Sequence, residues 1–268
     1  MFHNYDMLYL FGNLKDKTFT DYGAYKINNT NLFKKIKEYL FKYVRIRENS
    51  EYIYPVKIDF HRRFGWIIYG NISKAYLGKC SINGKLNIDI GNRSYFSGTC
   101  NLNGHNKLSI GSYVSIAHGL EIFTSNINHP INFSSTFNLE SNSRLIEDNI
   151  TLDLPNFRDE INYLEKKNSI TIDNDVWIGR NVMILPGTRI SAGCVIGART
   201  IITKDLEPYG VYVGSPARCI KFRFRKEIIE QLLEIKWWDW PLKKIKINKS
   251  FFNTDLSSYK NSILKLIK

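Results

Sequence analysis

The chain is poor in the residues from which metal and thiol centres are built, with four cysteines, five histidines and three methionines in 268 residues. Cys80, Cys100, Cys194 and Cys219 form no C-x-x-C pair and have no histidine at metal-ligand spacing, so no metal site is read from the chain. No run approaches eighteen apolar residues, and the start, Met1-Phe-His-Asn-Tyr-Asp6, lacks the basic region and apolar core of a secretory signal. A cytosolic location with reduced thiols is expected. Acidic residues are scarce beside basic ones, 25 against 38, and the net charge of +13 draws anions to the surface. No RNA- or DNA-recognition motif accompanies that charge, which argues against a nucleic-acid partner and reads most simply as a solvated basic face.

Also missing over most of the chain is any sustained period of 3.6 or 2. Residues 172–207 instead repeat every six: isoleucine stands at 172, 178, 184, 190, 196 and 202, and the fifth positions are Val176, Val182, Thr188, Cys194, Thr200 and Leu206. Neither a helix nor a flat strand returns a side chain to the same place after six residues, whereas a coil that turns one corner per repeat does. Three repeats close a triangle, and stacked triangles bring isoleucine onto isoleucine at about the 4.8 Å spacing of paired strands. The expected fold is all-β, a parallel β-helix, and Cys194 at an interior fifth position reads as a small buried thiol.

A weaker copy of the same phase precedes it, at Ile90, Phe96 and Leu102 and again at Ile110, Ile116 and Ile122, with a slip of two residues between Leu102 and Ile110 that a corner loop can absorb. Ile72, eighteen residues before Ile90, marks the expected start. After Ile122 no isoleucine recurs at six until Ile172, so residues 126–169 leave the coil as a long excursion, and a loop of that length in a compact domain is usually functional.

These repeats, with Asp175-Val-Trp-Ile-Gly179, Ile196-Gly-Ala-Arg-Thr-Ile-Ile-Thr-Lys-Asp205 and Gly214-Ser-Pro-Ala-Arg218, resemble the hexapeptide-repeat acyltransferase superfamily. The resemblance covers roughly residues 72–240 and implies a left-handed coil. Asn126-Ile-Asn-His-Pro130 and Trp237-Trp-Asp-Trp-Pro241 resemble its xenobiotic acetyltransferase branch, while Ala117-His-Gly-Leu-Glu-Ile122 resembles enzymes that acetylate capsular or lipopolysaccharide sugars. What the resemblance implies is an acetyl-CoA-dependent O-acetyltransferase, a homotrimer with sites between subunits and no metal.

His129 matches the catalytic histidine. A hydroxyl is a weak nucleophile at neutral pH, so a neutral imidazole must take its proton as it attacks a thioester. Asn126, Asn128 and His118 are candidates to line the acceptor site. The cofactor positions carried over are Gly179, Ala198, Thr203, Lys204, Arg218 and Lys221, the cations meeting the anionic end, with Trp177 flanking either the thioester end or the acceptor. Arg180 departs from the small residue often found there. The favoured acceptor is a hydroxyl of a bacterial surface-polysaccharide sugar. Chloramphenicol or a streptogramin, an amino-sugar nitrogen, and a non-enzymatic β-helix scaffold are the alternatives, and membrane association is left open.

Three segments are expected: an extension over 1–70, the coil over 71–221, and a helical cap over 222–268. Within the extension, Leu32, Phe33, Ile36, Tyr39, Leu40, Tyr43 and Val44 recur at three and four, which predicts an amphipathic helix over 31–46. In the last segment Ile228, Ile229, Leu232 and Leu233 share a helical spacing, and with the tryptophans after them they are expected to cover the open end of the coil.

Overall fold

A computed structural model describes residues 7–8, 38, 40–48, 51–55, 57–61, 65–69, 74–83, 86–125 and 168–268. Among these the chain is mostly β, with β1 (Met7–Leu8), β2 (Val44–Glu48), β3 (Glu51–Ile53), β4 (Lys57–His61), β5 (Gly65–Tyr69) and β6 (Lys74–Asn83) preceding the regular coils. These follow as β7 (Asn87–Ile90), β8 (Tyr95–Phe96), β9 (Thr99–Asn103), β10 (Lys107–Ile110), β11 (Ser115–Ile116) and β12 (Leu120–Phe123). Beyond the excursion come β13 (Ile170–Ile172), β14 (Trp177–Ile178), β15 (Met183–Ile184), β16 (Arg189–Ile190), β17 (Val195–Ile196), β18 (Ile201–Ile202), β19 (Gly210–Val213) and β20 (Arg218–Phe222).

Parallel pairing stacks these strands into three columns. β8, β11, β14, β17 and β19 form one face, β9, β12, β15 and β18 the second, and β7, β10, β13 and β16 the third. We refer to them by an outward residue as the Trp177, Met183 and Arg189 faces. Every isoleucine of the six-residue repeat is buried, as is each fifth position from Val176 to Leu206. The upper coils advance by 18 residues, as in Ile178↔Ile196, and the lower ones by 20, as in Ile88↔Leu108. The two-residue slip seen in the sequence is thus taken up at the 103–107 corner. Ile110 and Ile172, on either side of residues 126–167, pair in register.

Two expectations are corrected. The helix predicted over 31–46 does not reach its end: residues 40–43 are helical, but Val44 begins β2, which pairs in parallel with β7 through Val44↔Ile88 and Ile46↔Ile90. Val44 and Ile46 fit the alternating period of a strand as well as they fit the tail of a helix, and burial against the first coil decides between them. Arg45 holds the strand there, giving two hydrogen bonds of 2.7 and 2.8 Å to the buried Asp89, which also meets Lys107 Nζ at 2.7 Å. The Arg189 face therefore starts inside the segment read as an extension.

Secondly, the thiols are not all reduced. Cys194 and Cys219 are free, but Cys100 is disulfide-bonded, and its register partner in the neighbouring parallel strand is Cys80.

The C-terminal segment comprises α1 (Lys226–Ile235), a 3₁₀ turn (Trp237–Asp239), α2 (Leu242–Ile247), α3 (Lys249–Asn253) and a last 3₁₀ turn (Ile263–Leu266). Its anchors lie along one edge of the prism. Trp237 packs on Tyr113 at 4.8 Å between ring centroids, Asp239 pairs with Arg47 at 3.1 Å, and Arg223 reaches both Asp175 and the Gly193 carbonyl. Burial lifts the Asp175 carboxyl above its usual range and Arg223 partly offsets this. Ile228, Leu232, Phe251 and Ile263 form a separate core with Tyr209. At the end of the Trp177 face, β20 pairs antiparallel with β19 and all five of its residues are exposed.

No helix among the described residues is long and apolar enough to cross a membrane.

Candidate active site

The corner between the Trp177 and Met183 faces collects most of the predicted site residues. Register fixes which residues stack there, because Ile116, Ile178 and Ile196 align on one side of the corner and Ile122, Ile184 and Ile202 on the other. Three residues of each coil turn the corner between them. Ala117, Gly179 and Gly197 form one column, His118, Arg180 and Ala198 the next, and Gly119, Asn181 and Arg199 the third. Backbone hydrogen bonds tie the levels together, from Asn181 N–H to the His118 carbonyl at 3.0 Å and from Arg199 N–H to the Arg180 carbonyl at 2.8 Å. A Cβ on Gly179 would lie 2.8 Å from the Ala198 nitrogen, so the coils can only stack this closely with glycine there.

His118, an outlying candidate in the sequence, stands in this corner with its ring exposed. The Thr99 N–H donates to its Nδ1 at 3.3 Å. Thr99 Oγ1 lies 3.3 Å from Nδ1 and 3.4 Å from Nε2, so Thr99 meets the ring through both its backbone and its hydroxyl. Arg180, read as a departure from the family pattern, is exposed in the same column one coil above. Trp177 lies on the adjoining face, two residues before the corner glycine, and is 56% exposed.

The cationic candidates divide. Lys221 pairs across from Val211, which stacks on Val195 and so on Trp177, and Arg218 pairs across from Val213. Both are exposed, three strand spacings above Trp177, or about 14 Å along the coil. Thr203 and Lys204 are exposed in the turn after β18, at the far side of the Met183 face, where Asp205 accepts the Arg189 N–H at 2.7 Å. Within one chain the structure brings together Trp177, Gly179, Ala198, His118, Arg218 and Lys221, and sets Thr203 and Lys204 apart. His129, Asn126 and Asn128 lie outside the described residues.

The family model described as bacterial transferase hexapeptide (six repeats) matches residues 169–204. A chloramphenicol acetyltransferase of Klebsiella aerogenes is 37% identical over 177 residues, 60% of this chain and 79% of that protein. The chain belongs to the hexapeptide-repeat acyltransferase family. It is accordingly an enzyme, an acyltransferase. A probable macrolide acetyltransferase of Lysinibacillus sphaericus is 35% identical over 52% of this chain and 73% of its own, and the galactoside O-acetyltransferase of Escherichia coli K12 is 37% identical over 37% and 55%.

Proposed function

We propose that the enzyme transfers acetyl from acetyl-CoA to a hydroxyl of a bacterial surface-polysaccharide sugar, with His129 as general base. The observation that carries the sugar reading is the exposed Trp177 beside the His118 corner: its indole face is the kind of surface on which a sugar ring stacks, and the exposed His118 ring can hold an acceptor hydroxyl at its edge. The cofactor reading fits the same corner. Ala198 is exposed on it, Gly179 keeps it shallow, and the 14 Å or so from Trp177 to Arg218 and Lys221 suits an extended pantetheine arm with its phosphates at the cations.

In this reading the His129 imidazole removes the hydroxyl proton as oxygen attacks the thioester carbon. N–H groups of the corner backbone then stabilise the oxyanion, and the thiol leaves with the proton the imidazole has taken. Thr203 and Lys204, on the far side of the Met183 face, serve the cofactor across a subunit boundary, which calls for a homotrimer. The left hand of the coil belongs to the same reading and rests on family membership.

A second reading, acetylation of chloramphenicol, is favoured by the names of relatives at 35–37% identity over 79% of their length. Incubation with acetyl-CoA and a panel of hexoses, uronic acids, amino sugars and chloramphenicol, followed by release of free thiol, separates them. Turnover on sugar hydroxyls and none on chloramphenicol is expected. The reverse result would reject the sugar reading.

A further inference from the structure

The Trp177 face carries an aromatic column that extends away from the cofactor end. Tyr76 pairs in register with Tyr95, Tyr95 with Ser115, and Ser115 with Trp177. In-register parallel strands turn paired side chains to the same side, so all four stand outward in one line. Tyr95 is 44% exposed and Trp177 56%. Two strand spacings separate them, about 9.6 Å, with the small Ser115 between. Carbon–carbon contact needs about 3.5–4 Å on either side of an inserted ring, so the notch over Ser115 admits one pyranose between two aromatic side chains.

Cations lie at the other end. Lys74 Nζ lies 4.9 Å from the Tyr76 ring centroid and 5.2 Å from that of Tyr69, and Lys57 Nζ is 5.3 Å from Tyr69. From Trp177 to Tyr76 the column runs about 14 Å, the length of a short oligosaccharide rather than of a single ring.

We propose that this column is a track for an acidic acceptor glycan, whose rings stack on Trp177 and Tyr95 while its carboxylate or phosphate groups meet Lys74 and Lys57. The inference rests on the sugar reading above and narrows it to a charged chain. Two features favour this occupant over a second copy of the protein. The column is one residue wide and interrupted by Ser115, unlike the broad apolar patch that a subunit interface buries. It also ends on ammonium groups in a chain of net charge +13, which a polyanion complements.

The test uses the full-length enzyme with acetyl-CoA and two acceptor series, galacturonic acid and its trimer and hexamer, and glucose with the matching neutral cello-oligosaccharides. A KM at least about tenfold lower for the acidic trimer than for the monomer, with no such gain in the neutral series, is expected. Lys74→Ala should remove that gain and leave the monomer rate and the acetyl-CoA KM unchanged, and Tyr95→Ser should remove it and leave the acetyl-CoA KM unchanged. Equal gains in both series, a wild-type enzyme indifferent to length, or a Tyr95→Ser variant that loses mass in solution but keeps its length dependence would each overturn the proposal. The last of these would give the face to a second copy. Tryptophan fluorescence titrated with the acidic hexamer in the absence of acetyl-CoA reads binding separately. Binding that needs Tyr95 and Lys74 without transfer to any sugar would reject the acceptor reading and keep the track, and binding indifferent to both residues would reject the track. A single-stranded oligonucleotide that competes equally with the hexamer would also overturn it.

Discussion

His118 and Arg180 occupy successive coils of one corner, joined by the hydrogen bond from the Asn181 N–H to the His118 carbonyl at 3.0 Å. The Thr99 N–H donates to the His118 Nδ1 at 3.3 Å, and Thr99 Oγ1 lies 3.3 and 3.4 Å from the two ring nitrogens. His118→Ala is expected to raise the acceptor KM several-fold, leave the acetyl-CoA KM unchanged, and cost less in kcat than His129→Ala, for which the proposed general-base role predicts a loss of roughly 10²–10⁴-fold. Steady-state kinetics against each substrate read the split. A loss shared equally by both KM values would assign His118 to the coil rather than to the site.

Asp89 is buried between the guanidinium of Arg45 and the ammonium of Lys107. Both cations are partly exposed and can return to water, but the carboxylate cannot. Arg45→Met combined with Lys107→Met should therefore cost about 3–5 kcal/mol, and adding Asp89→Asn should recover much of it. Urea unfolding at neutral pH measures the three variants. If the double variant loses nothing, β2 is not held as described.

The strict column of isoleucines from Ile172 to Ile202 made the coil legible in the sequence, because a period of six admits no other regular structure. Other features were hidden by register. Cys80 meets Cys100, and Tyr95 meets Ser115, only because the lower coils advance by 20 residues, and the excursion lies between Ser115 and its partner Trp177. The edge along which the C-terminal segment lies was hidden too, since Arg47–Asp239 and Tyr113–Trp237 join residues more than a hundred positions apart. Val44 and Ile46 satisfied two periods at once, and only the partner strand distinguishes them.

Alkaline pH should weaken the last coils. Burial raises the Cys194 thiol from 9.0 to about 12, and Tyr212, also desolvated, goes from 10.0 to about 12. Their protons leave the unfolded chain first, so the native state holds more protons between those values and stability falls as pH rises through that window. Below pH 9 the effect is absent. Urea unfolding at pH 8, 9.5 and 11 should show the decline, with a shallower slope for Cys194→Ala. In the native protein a thiol reagent should label the exposed Cys219 and spare Cys194. Unchanged stability across the window would contradict this account.

Lys221 and Arg218 stand above Trp177 on its own face and Lys204 stands across the Met183 face, so in the proposed homotrimer one subunit supplies the first two to a cofactor and its neighbour supplies Lys204. A ring with cyclic symmetry would supply this by setting the Trp177 corner of one prism beside the Lys204 turn of the next and repeating the arrangement at every boundary. Three subunits give three such sites. Lys204→Ala, Arg218→Ala and Lys221→Ala should each raise the acetyl-CoA KM and flatten its dependence on salt, with little change in the acceptor KM. A chain carrying His129→Ala, mixed under subunit exchange with a chain carrying Lys204→Ala, should regain activity that neither has alone, since some boundaries of a mixed trimer receive an intact residue from each side. Exchange proven by mass measurement without any recovery would mean that both residues serve a site within one subunit, and a fully active monomer would mean the same.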